Sequence, residues 1–284
     1  DVYSISSDTK IMTRYTPPWL QSLPHHSRPA FRAYRQFNRL REEIDLGPDQ
    51  HSTEESQQHT QFCSIKSRLS QDKLSYFESQ RMPDKVAKVL GEAKALDVKE
   101  MIESFEFFQR VRHRVSRETI VDLCCGHGFV GMLFGLLERR VEHVYLLDVK
   151  FPKSSYKIEA LLNAHWPWLS AKLIRLERSV KGAASELPQG AGVVAVHACG
   201  ARTDWSIDVA RKLEGPLAVM PCCYAHQVYK GPKTLKRNLG VNLCVDIQRT
   251  RELEQANYTV DWQEIPPEIT PKNRIIAASP RINS

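Results

Sequence analysis

Apolar positions along this chain follow two different periods, and the switch between them divides the sequence. From Met82 to about residue 115 they recur at helical spacing. Pro83 suits a first helical turn, with a helix running to about Ala95. A second helix, about Val98 to Val115, places Ile102, Phe105, Phe108 and Val111 on one face, a pattern of core packing. Beyond it come short apolar blocks bounded by turn residues. Strands are expected near 119–124, 143–148, 171–176, 192–197 and 216–221, alternating with helices near 129–139, 154–164 and 203–213. The last third reads as a helix near 245–256, then strands near 258–264 and 273–278. Such alternation implies an α/β fold, a largely parallel sheet covered on both faces. The final two strands share a short Pro-bearing link, too short for a crossover, so they should pair antiparallel.

Residues 1–82 lack this order and form an expected N-terminal extension, leaving 83–284 as the main domain. Pro17-Pro18, His25-His26 and the polar Asp49–Gln61 stretch read as loops. Between them, Pro29–Leu40 sets Phe31, Tyr34, Phe37 and Leu40 on one face of an amphipathic helix with an arginine-rich back.

Composition narrows the class without naming a function. A hydrophobic share of 42% and a charged share of 26% are ordinary for a globular protein. No apolar run approaches the roughly twenty residues of a membrane span, and no signal peptide opens the chain, so no membrane partner is expected. The first residue is Asp1, so an N-terminal targeting segment can be missing. Seven cysteines, including the adjacent pairs Cys124-Cys125 and Cys222-Cys223, favour a reducing, intracellular setting, with the cytoplasm as the expected location. A net charge of +7 permits an anionic partner without requiring one.

The chemistry concentrates first in Val121-Asp-Leu-Cys-Cys-Gly-His-Gly128, an apolar strand running into a glycine turn. About twenty residues on, Val144-Tyr-Leu-Leu-Asp148 closes a second apolar run on a carboxylate, as in a cofactor-binding βαβ unit. The turn admits close backbone approach, and Asp148 is placed to accept hydrogen bonds from two ribose hydroxyls. Gly126-His-Gly128-Phe-Val-Gly131 also satisfies the dinucleotide fingerprint. Asp122 favours S-adenosylmethionine (SAM) instead: four residues before the first glycine, a carboxylate can reach the methionine ammonium. A pyrophosphate site wants an unobstructed helix N-terminus.

These segments resemble class I SAM-dependent methyltransferases over about residues 83 to 280. The resemblance implies a Rossmann-like, seven-stranded, mostly parallel sheet with a terminal antiparallel strand. It also implies SAM contacts by Asp122, Gly126, Gly128 and Asp148, with Glu177 to Ser179 beside the adenine.

A second constellation lies at the ends of the expected fourth and fifth strands. His197-Ala-Cys-Gly-Ala-Arg-Thr-Asp204 opens a helix for which Thr203 or Asp204 makes a good N-cap. Pro221-Cys-Cys-Tyr-Ala-His226 follows the fifth strand. The first, fourth and fifth strands are expected neighbours. Cys124, Cys125, His197, Cys199, Cys222, Cys223 and His226 should therefore gather on one rim of the ligand crevice. Zinc sites usually show Cys-x-x-Cys or His-x-x-x-His spacing, which this chain lacks, so no metal is expected. Cys124 and Cys199 are expected to pack under the cofactor.

The two boxes together resemble the methyltransferase-domain family that includes the eukaryotic tRNA acceptor-stem ribose methyltransferases. Those proteins carry a His-Leu-Cys-Gly box with a downstream Thr-Asp, then Cys-Cys-His-His. Here Ala198 stands for the leucine, and Tyr224-Ala225-His226 follows the cysteine pair.

Methyl transfer needs a nucleophile held in line with the sulfonium and freed of its proton. His197, Asp204, Tyr224 and His226 are the candidate catalytic residues, with His197 or His226 as base toward a hydroxyl. Lys230, Lys233, Lys236 and Arg237 make a basic loop suited to a phosphate-bearing acceptor, and Arg274 reaches either that substrate or a nearby carboxylate. The leading expectation is a SAM-dependent methyltransferase acting on a ribose hydroxyl of RNA, with tRNA as partner. A small-molecule or protein methyltransferase, or a catalytically silent binding module, stays open.

Overall fold

The computed structural model describes residues 74, 77, 79–224, 229–266, 269–270 and 272–281. The expected helix at Pro29–Leu40 and residue His226 lie outside them.

Two helices open the described chain, α1 (Met82–Glu92) and α2 (Val98–Val115). Strands and helices then alternate as β1 (Thr119–Leu123), α3 (Phe129–Leu137), β2 (His143–Asp148), α4 (Lys153–His165), β3 (Leu173–Glu177), β4 (Gly192–Val196), α5 (Ala201–Lys212) and β5 (Leu217–Met220). A long helix α6 (Lys233–Gln255) leads to β6 (Tyr258–Glu264) and β7 (Arg274–Pro280). The strands form one sheet in the order β3-β2-β1-β4-β5-β7-β6. The first five pair parallel, while β7 pairs antiparallel with both β5 and β6. This is the Rossmann-like class I methyltransferase arrangement.

The period-2 alternation of strand side chains feeds two hydrophobic layers. One face of the sheet carries Ile120, Val144, Leu146, Val194, Ala218, Ile275 and Ala277 into a core with α1–α4. The opposite face carries Val121, Leu123, Leu147, Val193, Ala195, Val219 and Ile276 against α5 and the end of α6. Ile102, Phe105, Phe108 and Val111 of α2 are all buried in the first layer. There Phe105 meets Phe129 edge-on at 5.7 Å, and Phe108 meets Phe134 at 4.9 Å. Among the described residues no helix is long and apolar enough to cross a membrane.

Two local expectations change. Helix α5 begins at Ala201, behind Gly200, so neither Thr203 nor Asp204 caps it. Thr203 instead turns its hydroxyl back to donate to the Ala198 carbonyl, which ties the helix to the end of β4. The basic stretch at 230–237 is not all loop either, because α6 starts at Lys233. Gly231-Pro232 signals a turn, yet a proline with φ fixed at −59° also suits entry into a helix. The helix breaks at Gly240, whose φ of 77° and ψ of 161° divide it in two.

Candidate SAM-binding cleft and adjoining polar clusters

In an open sheet, ligands bind where the strand order reverses, outside the carboxyl ends of the strands. Here the order turns between β1 and β4. A cleft of about 270 Å³ opens there. Cys124 contributes from the end of β1, Leu147–Val149 from β2, and Arg178–Val180 from the loop after β3. His197, Arg202 and Trp205 close it from the end of β4 and the first turns of α5.

The floor is built by backbone geometry. Cys124 and His197 have φ of 54° and 59°, and both stand where a strand leaves the sheet. The other left-handed non-glycine residues described, Lys94, Glu214 and Asn257, follow helix ends, where that conformation is a common stop. Gly126 and Gly128 are left-handed too, and a Cβ placed on Gly126 would meet nothing within 4 Å. Its backbone thus faces open space. Asp148 accepts from the Gly126 N–H through Oδ2 (2.8 Å) and from the Val149 N–H through Oδ1 (2.7 Å). Each oxygen keeps a second lone-pair site, so a cleft-lining carboxylate held rigid by two amides can still accept from a ligand.

Asp122 does not line this cleft. Only 2% exposed, it turns Oδ2 to accept from the Gly131 N–H at 2.8 Å, one turn into α3. Burial pushes its carboxyl up to about 7, with the Gly131 amide pulling the other way and Asp148 adding to the rise. Cys124 is pushed up to about 11, first by burial and then by Asp148, so it stands as a neutral thiol at neutral pH.

A carboxylate that sequence inspection passed over meets His197. Glu103 of α2, 4% exposed at its side chain, places Oε2 2.9 Å from His197 Nε2. His197 Nδ1 and Glu103 Oε1 are enclosed with no hydrogen-bond partner. His127 lies nearby, with Nδ1 accepting from the Phe129 N–H at 3.2 Å and Nε2 3.8 Å from Glu100. Burial lowers His127 to about 4 against the pull of Glu103, so its ring is neutral. The signal in sequence was a carboxylate interrupting the apolar stretch of α2, since buried Glu rarely lacks a partner. Arg202 and Trp205 were also missed, although both stand within or beside the His197–Asp204 box.

Three further predicted residues meet elsewhere, around Asp246 of α6, which is fully buried. Tyr224 donates its hydroxyl to Asp246 Oδ2 at 2.7 Å, and Arg274 Nη1 donates to the same oxygen at 2.7 Å. Arg249 donates to Asp204 Oδ1 at 2.7 Å and approaches Asp246 Oδ1 at 3.4 Å. Arg274 also lies 3.8 Å from Glu264. Burial raises Asp246 while Tyr224 and the two guanidiniums pull it back; burial, then Asp246, raises the Tyr224 phenol. Asp204, Tyr224 and Arg274 therefore belong to one ionic network that joins α5, the loop after β5, α6 and β7.

The thiols divide as well. Cys199 comes within 3.0 Å of Cys222, and Cys222 within 3.5 Å of Cys223, while Cys124 lines the cleft. Lys230, Lys233 and Arg237 are exposed, and Lys236 is half-buried.

Residues 93–230 match a protein family described as "Methyltransferase domain". The match runs from the end of α1 to the loop after β5, so it holds the cleft and the Glu103–His197 pair. No curated protein matches the chain. Among solved structures, the ribosomal protein L11 methylase of Lactobacillus delbrueckii subsp. bulgaricus is similar, at 11% identity and TM-score 0.40 over 66% of this chain and 81% of that one. The B. subtilis tRNA methyltransferase TrmK shows 11% identity and TM-score 0.40 over 62% of this chain and 66% of its own.

Proposed function

We propose that this protein is a SAM-dependent methyltransferase that methylates a hydroxyl of a phosphate-bearing acceptor, with the ribose of tRNA as the leading substrate. The methyltransferase-domain match supports the reaction class. The observation that carries the SAM reading is Asp148, anchored by two backbone amides at the lip of the cleft with acceptor sites to spare. Its place at the end of β2 suits the two ribose hydroxyls of SAM. Gly126, open on the side where a Cβ would stand, leaves room for the ligand. Gly128 continues the turn, and Asp122 serves the site through α3, whose first turn it ties to β1. Ser179 and Val180 offer a wall for the adenine. Cys124 packs beside the cofactor as a thiol.

SAM supplies a methyl group on a positively charged sulfur. The acceptor oxygen forms the new bond to that carbon as the carbon–sulfur bond breaks, and the hydroxyl proton must leave for a base. His197 is the group placed to take it. Glu103 accepts from Nε2–H and orients the ring, which leaves Nδ1, enclosed and without a partner, as the nitrogen that a bound acceptor would have to reach. The cations at Lys230, Lys233, Lys236 and Arg237 follow the Pro221-Cys-Cys box and favour an acceptor that carries phosphate.

Calorimetric titration tests the cofactor assignment. SAM should bind the wild type, and Asp148→Asn should weaken it by about tenfold or more, equivalent to about 1.4 kcal/mol. Unchanged affinity would remove Asp148 from the site. Incubating the enzyme with methyl-tritiated SAM and separate RNA, protein and metabolite fractions then identifies the acceptor. Label in RNA that resists alkaline cleavage at the modified position supports ribose methylation. Label confined to protein or metabolites overturns the RNA reading.

A further inference from the structure

Cys199, Cys222 and Cys223 are brought together by the sheet. Strands β4 and β5 are parallel neighbours with Val196 opposite Met220, so the loops that leave them run side by side. Two backbone hydrogen bonds extend that pairing past the strand ends: the His197 N–H donates to the Met220 carbonyl at 2.9 Å, and the Gly200 N–H to the Cys223 carbonyl at 3.1 Å. Residues 199 and 222–223 are thereby held in fixed register.

Successive side chains on an extended segment point to opposite sides. Cys222 and Cys223 do not: their sulfurs are 3.5 Å apart. With Cys199 Sγ 3.0 Å from Cys222 Sγ, all three sulfurs lie within 4.8 Å of one another. Thiolates at the usual zinc–sulfur length of about 2.3 Å stand about 3.8 Å apart around a tetrahedral ion. The 3.0 and 3.5 Å spacings are somewhat shorter than that value, as for uncharged thiols with no ion between them, and the residues are partly open, with Cys223 exposed and the other two half-buried. An ion can therefore reach the cluster and retain one coordination position outside it. The motif is invisible to a search for Cys-x-x-Cys because its ligands come from the segments that follow two different strands.

We propose that Cys199, Cys222 and Cys223 form a three-thiolate site for a single zinc ion, bridging the loops after β4 and β5. Three sulfur ligands select a soft or borderline closed-shell cation over magnesium or calcium, which require oxygen. The site is distinct from the SAM cleft. Its metal would tie His197, two residues before Cys199, to Tyr224, the residue after Cys223.

The test uses the full chain, reduced and freed of metal, dialysed against zinc and then titrated with cobalt(II) as a spectroscopic substitute. One zinc per chain should be retained, and cobalt should give a thiolate-to-metal charge-transfer band with the intense visible bands of a tetrahedral site. Cys199→Ser/Cys222→Ser/Cys223→Ser should lose both, whereas Cys244→Ala, at the buried cysteine of α6, should keep both. Circular dichroism confirms that the triple variant is folded. Should it unfold, Cys223→Ser alone, at the exposed position, should weaken zinc retention at least tenfold. Failure of the reduced wild type to retain zinc overturns the proposal. So does an unaltered cobalt spectrum in the folded triple or in Cys223→Ser, as does recovery of the freshly isolated, metal-free protein with Cys199 and Cys222 joined as a disulfide. SAM affinity, measured on the same preparations, is a separate quantity, so loss of the metal site and loss of the cofactor site are told apart.

Discussion

Asp122 precedes the glycine turn and His127 sits within it, and burial shifts the two in opposite directions. Burial raises the carboxyl of Asp122 from 3.8 to about 7, so the folded protein holds a proton there that the unfolded chain has released. The resulting stabilisation is complete below about pH 4 and disappears as the pH climbs through 7. Burial lowers His127 from 6.5 to about 4, so its contribution is complete above 6.5 and disappears as the pH falls through 4. Both groups suit the fold in the interval between, where each is neutral. Asp122→Asn should therefore gain stability relative to wild type as pH rises from 5 to 8, by up to about 1.4 kcal/mol per pH unit. Thermal melts of the two proteins across that range measure it, and a pH-independent gap would refute the assignment. The polar position Asp122 was visible in the sequence. Its direction was not: a carboxylate at the end of β1 can face the crevice or the helix behind it, and the 2.8 Å bond from the Gly131 amide turns Oδ2 toward the helix.

At the level of elements, α2 is fixed to the sheet through a backbone contact. A Cβ on Gly192, the first residue of β4, would fall 2.1 Å from the Val115 carbonyl oxygen at the end of α2. Neither backbone can yield as a side chain does. Gly192→Ala should cost about 1–3 kcal/mol, as overpacking does in a filled core, seen as a lowered midpoint in urea with little change in slope. This contact also holds the helix that carries Glu103, so the same variant should reduce methyl transfer more than its stability loss explains. Elements were largely legible beforehand because period 2 and period 3.6 are local properties of the chain. Helix α2 runs over Val98–Val115 as its aromatic face predicts, and β6 and β7 pair antiparallel as their short link requires. The entry into α6 was misread because Gly231-Pro232 is both a turn signal and an acceptable helix start. The cap of α5 was misread because Thr203 bonds backward to Ala198.

Over the whole molecule the chain carries a net charge of +7, and Lys230, Lys233, Lys236 and Arg237 stand around the start of α6. Arg274 and Arg249 are differently placed, committed to Asp246 and Asp204. Lys233→Glu/Lys236→Glu/Arg237→Glu should weaken tRNA binding and reduce the magnitude of the log–log salt slope by about 2–3, near 0.7–0.9 for each phosphate no longer neutralised. Filter binding between low and moderate salt reads both quantities. An unchanged slope would detach the basic segment from the acceptor. Among the described residues, Arg249→Met leaves Asp246 with one fewer cation and Asp204 with none. It should destabilise by about 3–5 kcal/mol, as removing one member of a buried ion network does, in a guanidinium melt.

The sequence by itself determined the order of strands and helices, the glycine turn and the acid that follows β2. Each of these rests on residues close together in the chain, where steric preference and hydrophobic period act without long-range information. Only the tertiary structure decided which distant groups meet. Sheet order sets Cys199 beside Cys222, α2 across from β4 sets Glu103 beside His197, and the packing of α6 sets Arg249 against Asp204. Those pairings join residues 23, 94 and 45 positions apart. Their geometry follows from how whole elements stack, a property that no local pattern of residues encodes.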